Sequence, residues 1–218
     1  TPSSAASDVY KRQGYTVQPY SPAAGSGLSS HELNQPGAYK EISDTSIVAQ
    51  FKCKKEGLSN ELINLYPFYF LAWTTTPWTL PSNTALTIGK KINYSFIKTY
   101  NQYTKDKITV VLATKLVDKI FSKNFFEVKS ETELNSFDKN QSKIPFLKFH
   151  ELLGEDLENI NYERIWDESP LPLDNPENAF RIISGDFVTT EDGTGIVHTA
   201  PTFGADDYKA AKNANPEV

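Results

Sequence analysis

Two clusters of polar residues in this sequence have the types and spacing to do chemistry. In the first, three consecutive hydroxyl side chains, Thr74 to Thr76, follow an aromatic apolar segment and stand just before Pro77. Hydroxyls on a rigid loop at a strand end can hydrogen-bond a polar ligand, although no base lies nearby in sequence to make one a nucleophile. Three threonines alone are more often ordinary strand residues. The prolines, tryptophans and Asn83 in the same stretch nevertheless favour a ligand-binding loop.

The second cluster lies about a hundred residues further along the chain. Gly193 and Gly195 flank a threonine before a short apolar segment that ends in His198, and the pair Asp206 and Asp207 follows. Glycine at the start of a strand permits close approach of a ligand or of another backbone. A lone strand histidine is more often structural, and one aspartate of the pair is expected to cap the next helix, a contribution of about 1 kcal/mol. A histidine at a strand end beside an acidic pair is also a plausible site.

Composition and charge exclude several classes of protein. The 218 residues, 39% of them hydrophobic, suffice for one substantial domain or two small ones. A net charge of −5 argues against a domain whose main task is to grip a nucleic-acid backbone. No apolar run approaches the roughly 20 residues that span a bilayer, so no membrane association is expected. Three histidines and one cysteine show no metal-ligand spacing, and a lone cysteine fits a cytoplasmic location.

A strand must position the threonine cluster. Tyr66 to Trp73 reads as a short buried strand. Pro77 and Pro81 each disfavour helical backbone in the residue before them, so the strand is expected to end in a stiff, extended loop. Further strands are predicted at Ser46–Lys52, Thr84–Ile88, Tyr94–Tyr100, Ile108–Ala113, Phe125–Lys129, Phe146–His150, Ala179–Val188 and Gly195–Thr199.

Few helices accompany these strands. One is predicted over Lys115–Lys123 with Thr114 as its cap, and a C-terminal helix is predicted to begin at Asp206 or Asp207. The pattern indicates a mixed α/β, mainly β fold, with a β-barrel-like core of short strands and helices packed outside. Residues 1–13, polar and without periodicity, are predicted to be a disordered tail or foreign linker, and residues 14–218 a single domain.

The two clusters together resemble a known family. The stretch Trp73–Ala85 (WTTTPWTLPSNTA) is similar to the threonine-rich signature of the editing domain of isoleucyl-tRNA synthetases, the insertion called connective peptide 1 (CP1). The stretch Gly193–Pro201 (GTGIVHTAP), followed by Phe203–Tyr208, resembles the other half of the same pocket. The related valine and leucine editing domains tend to have Thr-Arg-Pro at positions 75–77 and to lack the histidine. The resemblance covers roughly residues 14 to 218.

The resemblance implies a role for each matching residue. Thr74, Thr75 and Thr76 would position the ester and the terminal adenosine of the tRNA. Asp207, counted with them as catalytic, would hold the α-ammonium group of the bound amino acid, an expected pairing for a buried carboxylate. The substrate-binding residues implied by the motifs are Trp73, Asn83, His198, Thr199 and Gly195. Among these, Asn83 would support the threonine loop and His198 would stand at the side-chain end of the pocket.

The implied function is post-transfer editing. The domain would deacylate valine from mischarged tRNA for isoleucine, and could also clear valyl-adenylate within a full synthetase. Its partners would be the 3′ end of that tRNA and valine as the rejected amino acid, in a monomeric protein. The domain itself would need no cofactor, since ATP and Mg²⁺ serve the aminoacylation site of a full synthetase. The signature segments of that site are absent from this chain, and the sequence contains no methionine.

Two alternatives remain open from the sequence. The first is the editing domain of the related valine or leucine synthetase. The sequence Thr76-Pro77-Trp78 and the presence of His198 both argue against it. The second is a non-catalytic module that binds the end of a tRNA. The negative net charge and the lack of an aromatic face with basic residues argue against that module.

Overall fold

The computed structural model describes residues 17–41, 43–172 and 174–218. The strands in these ranges are β1 (Tyr20–Ser21), β2 (Ser26–Gly27), β3 (Ile47–Lys52), β4 (Tyr69–Thr74), β5 (Ala85–Ile88), β6 (Asn93–Tyr100), β7 (Lys107–Ala113), β8 (Phe125–Glu127), β9 (Ile144–Leu153), β10 (Arg181–Ser184) and β11 (Ile196–Thr199). The tail predicted at residues 1–13 lies outside the described residues, so that boundary remains a prediction.

The helices of the described residues are short. They are α1 (Ser30–Leu33), α2 (Asn60–Ile63), α3 (Val117–Ile120), α4 (Glu131–Asn135) and α5 (Ala205–Asn213), with 3₁₀ segments at Pro77–Ser82, Thr114–Leu116, Gly154–Leu157 and Pro176–Asn178. Serine side chains at positions 29, 59 and 130 accept a backbone N–H and so fix the starts of α1, α2 and α4. In the part of the chain that the structure describes, no helix has the length and apolarity needed to cross a membrane.

Nine strands form one mixed sheet that divides at β4. Its spatial order is β10-β5-β11-β4-β7-β6-β9-β8, and β3 also pairs with β4. Strand β4 runs antiparallel to β3 and parallel to both β7 and β11. One arm of the sheet therefore leads through β11 and β5 to β10, and the other leads through β7, β6 and β9 to β8.

The arm that contains β11 closes into a barrel. Beyond β10, an antiparallel bridge joins Arg181 to Asn161, and a second bridge joins Tyr162 to Cys53, the residue after β3. The backbone N–H of Lys54 donates to the carbonyl of Asn161 across the same junction (2.8 Å). We call Asn161 and Tyr162, with these pairings, the barrel seam. The prediction of a mainly β fold with a barrel-like core is confirmed.

Strand alternation decides which side chains enter the barrel. On β4, Phe70 and Ala72 pack inside, whereas Leu71 packs against the outer cluster. Thr74 continues the inner row at the end of the strand, and Trp73 continues the outer row. The barrel interior is filled by buried apolar side chains that include Phe51, Cys53, Phe70, Leu86, Ile88, Ile182 and Ile196. Full burial of each larger side chain contributes about 1.5–3 kcal/mol, so this core holds the inner residues of β4 and β11 in place.

Helices cover the outside of both arms. Val117 of α3 and the adjacent Phe121 pack on Leu71 of β4. Ala210 of α5 packs on Ala85 and Ile183, which places this helix over the outer face of β5 and β10. The predicted arrangement of helices outside the strands is therefore confirmed.

The extended loop predicted after β4 is wrong. Thr76 is non-helical, as expected before a proline (φ −121°, ψ 65°), but Pro77 then opens a 3₁₀ helix that includes Pro81. Proline is well tolerated at the first position of a helix, because its fixed φ is already suitable and no N–H is needed there. Bonds from Thr79 N–H to the Thr76 carbonyl and from Asn83 N–H to the Leu80 carbonyl (both 3.0 Å) close two short turns, one around each proline.

Two predicted helix caps are also wrong. Thr114 opens a 3₁₀ turn instead of capping a helix over Lys115–Lys123, and its hydroxyl donates to Glu151 Oε2 (2.9 Å). The N-cap of α5 is Gly204, which has no side chain to accept a hydrogen bond. Asp207 lies in the first turn of that helix and accepts from the backbone N–H of Ala200 instead (2.9 Å).

Candidate functional site

The sheet brings the two sequence clusters together at one rim of the barrel. Strand β11 runs parallel to β4, with Val197 opposite Trp73. Because the strands are parallel neighbours, their carboxyl ends reach the same edge of the sheet. Thr74 ends β4 and the rest of the first cluster follows it, whereas His198 lies near the end of β11 and Asp206 and Asp207 follow that strand. We define the threonine rim as Thr74–Thr76 together with His198–Ala200.

The hydroxyls of the rim are linked to one another. Thr74 is buried, whereas Thr75 and Thr76 are exposed. Thr74 Oγ1 accepts from the backbone N–H of Thr76 (3.1 Å) and lies 3.3 Å from the Thr76 hydroxyl. The Thr76 hydroxyl in turn lies 3.4 Å from that of Thr79. The Thr76 hydroxyl is thus oriented by its contacts with Thr74 and Thr79, and its exposed position leaves it open to a ligand.

His198 points into the barrel and is 6% exposed. Its Nε2 lies 3.1 Å from Thr79 Oγ1, and its Nδ1 lies 2.9 Å from Asn83 Nδ2. Burial lowers the pKa of His198 from its ordinary value near 6.5 to about 4, and the hydrogen bond at Thr79 opposes that shift. The ring is therefore neutral at pH 7. With both nitrogens already in hydrogen bonds, the ring is poorly placed to take a proton from water.

Asn83 ties the threonine loop to the barrel interior. Its Nδ2 donates to the carbonyl of Ala85 (2.9 Å), and its Oδ1 accepts from the Tyr162 hydroxyl (2.6 Å). Burial raises the pKa of Tyr162 well above its ordinary value, so the phenol remains a donor. Asn83 thus connects the end of the 3₁₀ helix, β5, β11 and the barrel seam through one side chain.

Asp207 lies on the outer side of the rim. Burial raises the pKa of its carboxyl group, the Ala200 N–H that it accepts lowers this pKa, and the neighbouring Asp206 raises it. A Cβ at Gly204 would lie 3.0 Å from Asp207 Cγ, so glycine there leaves room for the carboxylate. The net raised pKa means that the negative charge of Asp207 is under-compensated, and a cationic group beside it would stabilise the ionised form.

Thr199 faces away from His198, because neighbouring residues of a strand point to opposite faces. Its buried hydroxyl lies 2.6 Å from that of Thr87. Its cross-strand partner is Ala85, which packs under α5. The hydroxyl of Thr199 is therefore satisfied within the protein, on the side of the rim where Asp207 lies.

Trp73 and Gly195 are not brought to the inner side of the rim. Trp73 is 36% exposed on the outer face, and a Cβ at Gly193 would lie 3.0 Å from its ring. Gly195 precedes β11 and lies at the opposite end of that strand from Thr199. It has φ +72°, and a Cβ there would overlap the methyl group of Ala113. Close packing of two backbones explains this glycine, and its placement does not support substrate binding.

Sequence reasoning missed two members of the inner group. Thr79 lies within the threonine motif, but its contact with His198 depends on the 3₁₀ helix, whose three-residue turn sets it over Thr76. Tyr162 lies 79 residues from Asn83 in the sequence. It belongs to a segment without strand periodicity, so no local signal could have assigned it to the site.

Comparisons with known proteins agree with this architecture. The chain is 54% identical over 211 residues to the isoleucine–tRNA ligase of Bacteroides fragilis. It is 52% identical over 207 residues to that of Cytophaga hutchinsonii. Each alignment covers 94% of this chain but only 18% and 17% of the relatives, so the chain spans less than a fifth of the curated proteins it matches. No family model matches it.

Among solved structures, the chain is similar to the crystal structure of GlLeuRS-CP1. The TM-score is 0.52 at 17% sequence identity, and the match covers 78% of this chain and 60% of that one. The chain therefore has the fold of that CP1 domain. By sequence, the chain belongs with the isoleucine–tRNA ligases and corresponds to one segment of them.

Proposed function

We propose that this chain hydrolyses the ester bond of misacylated tRNA, and that its substrate is valine attached to the tRNA for isoleucine. The observation that carries the proposal is the meeting of the threonine loop, His198 and Asp207 at one rim of the barrel. The kinship with isoleucine–tRNA ligases supports the choice of tRNA. The partner would be the 3′ end of that tRNA, since a net charge of −5 does not suit a broad grip on its backbone.

The proposed reaction is attack of water on the ester carbonyl through a tetrahedral oxyanion. The new bond joins the water oxygen to the carbonyl carbon, and the bond to the ribose oxygen breaks. That oxygen takes one proton of the water, the other proton passes to solvent, and the amino acid leaves as its carboxylate. Thr75 and Thr76, which are exposed, would donate hydrogen bonds to the ester or to the terminal ribose. A vicinal ribose hydroxyl of the tRNA would help to orient the water.

Asp207 is proposed to hold the α-ammonium group of the amino acid. Only its Oδ2 has a hydrogen-bond partner among the described residues, so the other oxygen remains available to a ligand. Its carboxylate is half-buried, and burial raises its pKa. An ammonium group placed beside it would stabilise the charged form and be held by a charge-assisted hydrogen bond.

His198 is proposed to set the size limit of the pocket. A site that must recognise one additional methylene by binding alone discriminates by about 1–3 kcal/mol, a general value for which isoleucine against valine is itself the standard example. A rigid ring placed where the extra carbon of isoleucine would lie excludes that side chain sterically. The two hydrogen bonds of the His198 ring and its burial in the barrel supply the rigidity.

Deacylation of purified aminoacyl-tRNA tests the proposal. Valyl-tRNA and isoleucyl-tRNA of the isoleucine type are incubated with the protein at high concentration, and release of each amino acid is followed. We expect valine release well above the buffer rate and little isoleucine release. Equal release of both amino acids would contradict the proposed selectivity. Binding of the tRNA end without any valine release, even when a synthetase with an inactivated editing pocket is added, would identify a non-catalytic module.

A further inference from the structure

Tyr162 links the barrel seam to the inner side of the threonine rim. Its backbone N–H donates to the carbonyl of Phe180 (2.9 Å), and its ring packs edge-on against Phe51, with centroids 5.3 Å apart. The side chain is fully buried, and its hydroxyl meets Asn83 Oδ1 at 2.6 Å. The phenol ring is therefore held in place by the core, and its hydroxyl donates a hydrogen bond to Asn83.

The direction of the Asn83 amide follows from its neighbours. The carbonyl of Ala85 can only accept a hydrogen bond, so the amide atom 2.9 Å from it is the NH₂ group. The oxygen of the amide then faces Tyr162, which donates to it. One N–H of Asn83 goes to Ala85, and the other points at His198 Nδ1, 2.9 Å away. The contacts of the amide nitrogen and those of the amide oxygen thus require the same orientation of the Asn83 side chain.

The amide orientation decides where the proton of the His198 ring lies. Because Asn83 donates to Nδ1, that nitrogen is an acceptor, and the neutral ring carries its proton on Nε2. Nε2 then donates to Thr79 Oγ1 (3.1 Å), and the Thr79 hydroxyl donates to the carbonyl of Thr76 (2.8 Å). A single direction of donation therefore runs from the barrel seam to the threonine loop.

We propose that Tyr162 is a positioning residue that acts through Asn83 to hold His198 in the Nε2–H tautomer and in one ring orientation. Without its hydroxyl, the buried Asn83 oxygen loses its donor, and the amide gains freedom to tilt and rotate. The His198 ring then loses its fixed partner on Nδ1. In the proposed function, on which the selectivity part of this inference rests, a mobile ring excludes the larger acyl group less well.

The main test is the protonation state of His198, measured by nitrogen NMR on protein labelled with ¹⁵N-histidine. The chain has three histidines, and His198→Gln assigns the resonances. At pH 7 we expect Nε2 protonated and Nδ1 unprotonated in the unaltered protein. In Tyr162→Phe we expect a mixture of tautomers or exchange broadening. A proton on Nδ1 in the unaltered protein, or one sharp Nε2–H tautomer in Tyr162→Phe, would overturn the proposal.

Tyr94→Phe is a matched control, because Tyr94 is also fully buried and its hydroxyl donates to a carbonyl, that of Gly195, at 2.7 Å. This variant removes one buried phenol oxygen without touching Asn83 or His198, and the His198 tautomer should be unchanged. If Tyr162→Phe fails to fold, Asn83→Asp provides a second test. Its carboxylate can only accept, so Nδ1 of His198 should carry a proton in that variant. An Nδ1 that stays unprotonated there contradicts the proposal.

The selectivity readout uses the same variants. Tyr162→Phe should raise the rate of isoleucyl-tRNA deacylation relative to that of valyl-tRNA about fivefold, the effect of one typical hydrogen bond. Tyr94→Phe should leave the ratio unchanged, and an equal shift in both variants would contradict a specific role for Tyr162. Failure of all three proteins to release valine would contradict the proposed function, and the tautomer measurement would still decide the role of Tyr162.

Discussion

On the inner side of the threonine rim, the side chains of His198 and Asn83 have protein partners at every ring nitrogen and amide atom. On the outer side, Asp207 has one backbone partner and a carboxyl group whose pKa is raised by burial. The inner side is thus complete without a ligand, whereas the outer side gains from a cation. In the proposed function, the inner side would define the shape of the pocket and the outer side would supply its attraction for an amino acid.

The first prediction tests the outer side of the rim by removing the negative charge of Asp207. Asp207→Asn retains an acceptor for the Ala200 N–H but removes the negative charge, so valyl-tRNA deacylation should fall roughly 10²–10³-fold, the usual penalty for removing one member of a buried charge pair. The single-turnover rate constant is the measurement. Asp206→Asn changes the same charge at an exposed neighbour and should leave the rate within about twofold of the unaltered protein. Similar losses in both variants would mean that net charge, and not the Asp207 contact, matters.

Truncation of His198 tests the inner side. His198→Ala enlarges the pocket, so isoleucyl-tRNA deacylation should rise roughly 10–200-fold, the range that corresponds to one methylene. Valyl-tRNA should still be hydrolysed at a comparable rate. If His198 acts as a general base instead, both rates should fall by roughly 10²–10⁴-fold. Measuring both substrates on the same variant therefore separates the two roles.

The pH dependence of stability compares the two sides in one experiment. His198 has a folded pKa of about 4 against an ordinary value of 6.5, so the unfolded chain takes up its proton first as the pH falls. Its contribution to stability is present above pH 6.5 and is lost as the pH falls toward 4. Between about pH 7 and pH 5 this loss should be about 2 kcal/mol. Asp207, whose pKa is raised, contributes with the opposite sign, because the folded state then binds its proton more readily.

Urea unfolding at pH 7 and pH 5 provides the measurement. His198→Gln removes the titrating ring while keeping a polar side chain, so the difference between this variant and the unaltered protein isolates the His198 contribution from that of Asp207. If the difference in unfolding free energy between the variant and the unaltered protein is the same at pH 7 and pH 5, His198 is not held neutral by the barrel.

The smallest expected effect concerns the hydroxyl pair of Thr87 and Thr199. The two buried oxygens lie 2.6 Å apart and satisfy each other beneath α5. A double-mutant cycle with Thr87→Val and Thr199→Val should therefore give a coupling energy of about 1 kcal/mol in the unfolding free energy. A coupling near zero would show that the hydroxyl of Thr199 is free to serve a ligand, as the sequence motif implies.

Much of the fold was predictable because strand periodicity is a local signal. The segments predicted around β3, β5, β6 and β7 coincide with those strands to within one residue at each end. The 3₁₀ helix at Pro77–Ser82 was not predicted, because two prolines argue against an α-helix while permitting i→i+3 turns. The helix cap at Asp206 or Asp207 failed for a different reason: the carboxylate of Asp207 is drawn to the backbone of Ala200, a contact created by tertiary structure.

The candidate site was predictable only where a motif carried it. The motifs contain Thr74, His198 and Asp207, and parallel pairing of β4 with β11 explains why they meet. Gly195 also belongs to the second motif, but a glycine is needed there because a Cβ would overlap Ala113. No spacing in the sequence could indicate that contact. Tyr162 could not be assigned to the site from the sequence, because its partner Asn83 is distant in the sequence and the two meet only when the barrel closes.

Local fluctuations of the barrel seam would affect the selectivity that the proposed function requires. The seam is only a few residues long, with one bridge and adjacent backbone hydrogen bonds on each side, and Tyr162, which helps to close it, also supplies the phenol for Asn83. Transient opening of this short closure would withdraw the anchor of the His198 ring while β4 and β11 remain paired. Accuracy would then decline with temperature before overall structure is lost. In the proposed function, selectivity would therefore be coupled to the opening equilibrium of the barrel seam, and hydrogen exchange at the Tyr162 amide would report on that opening.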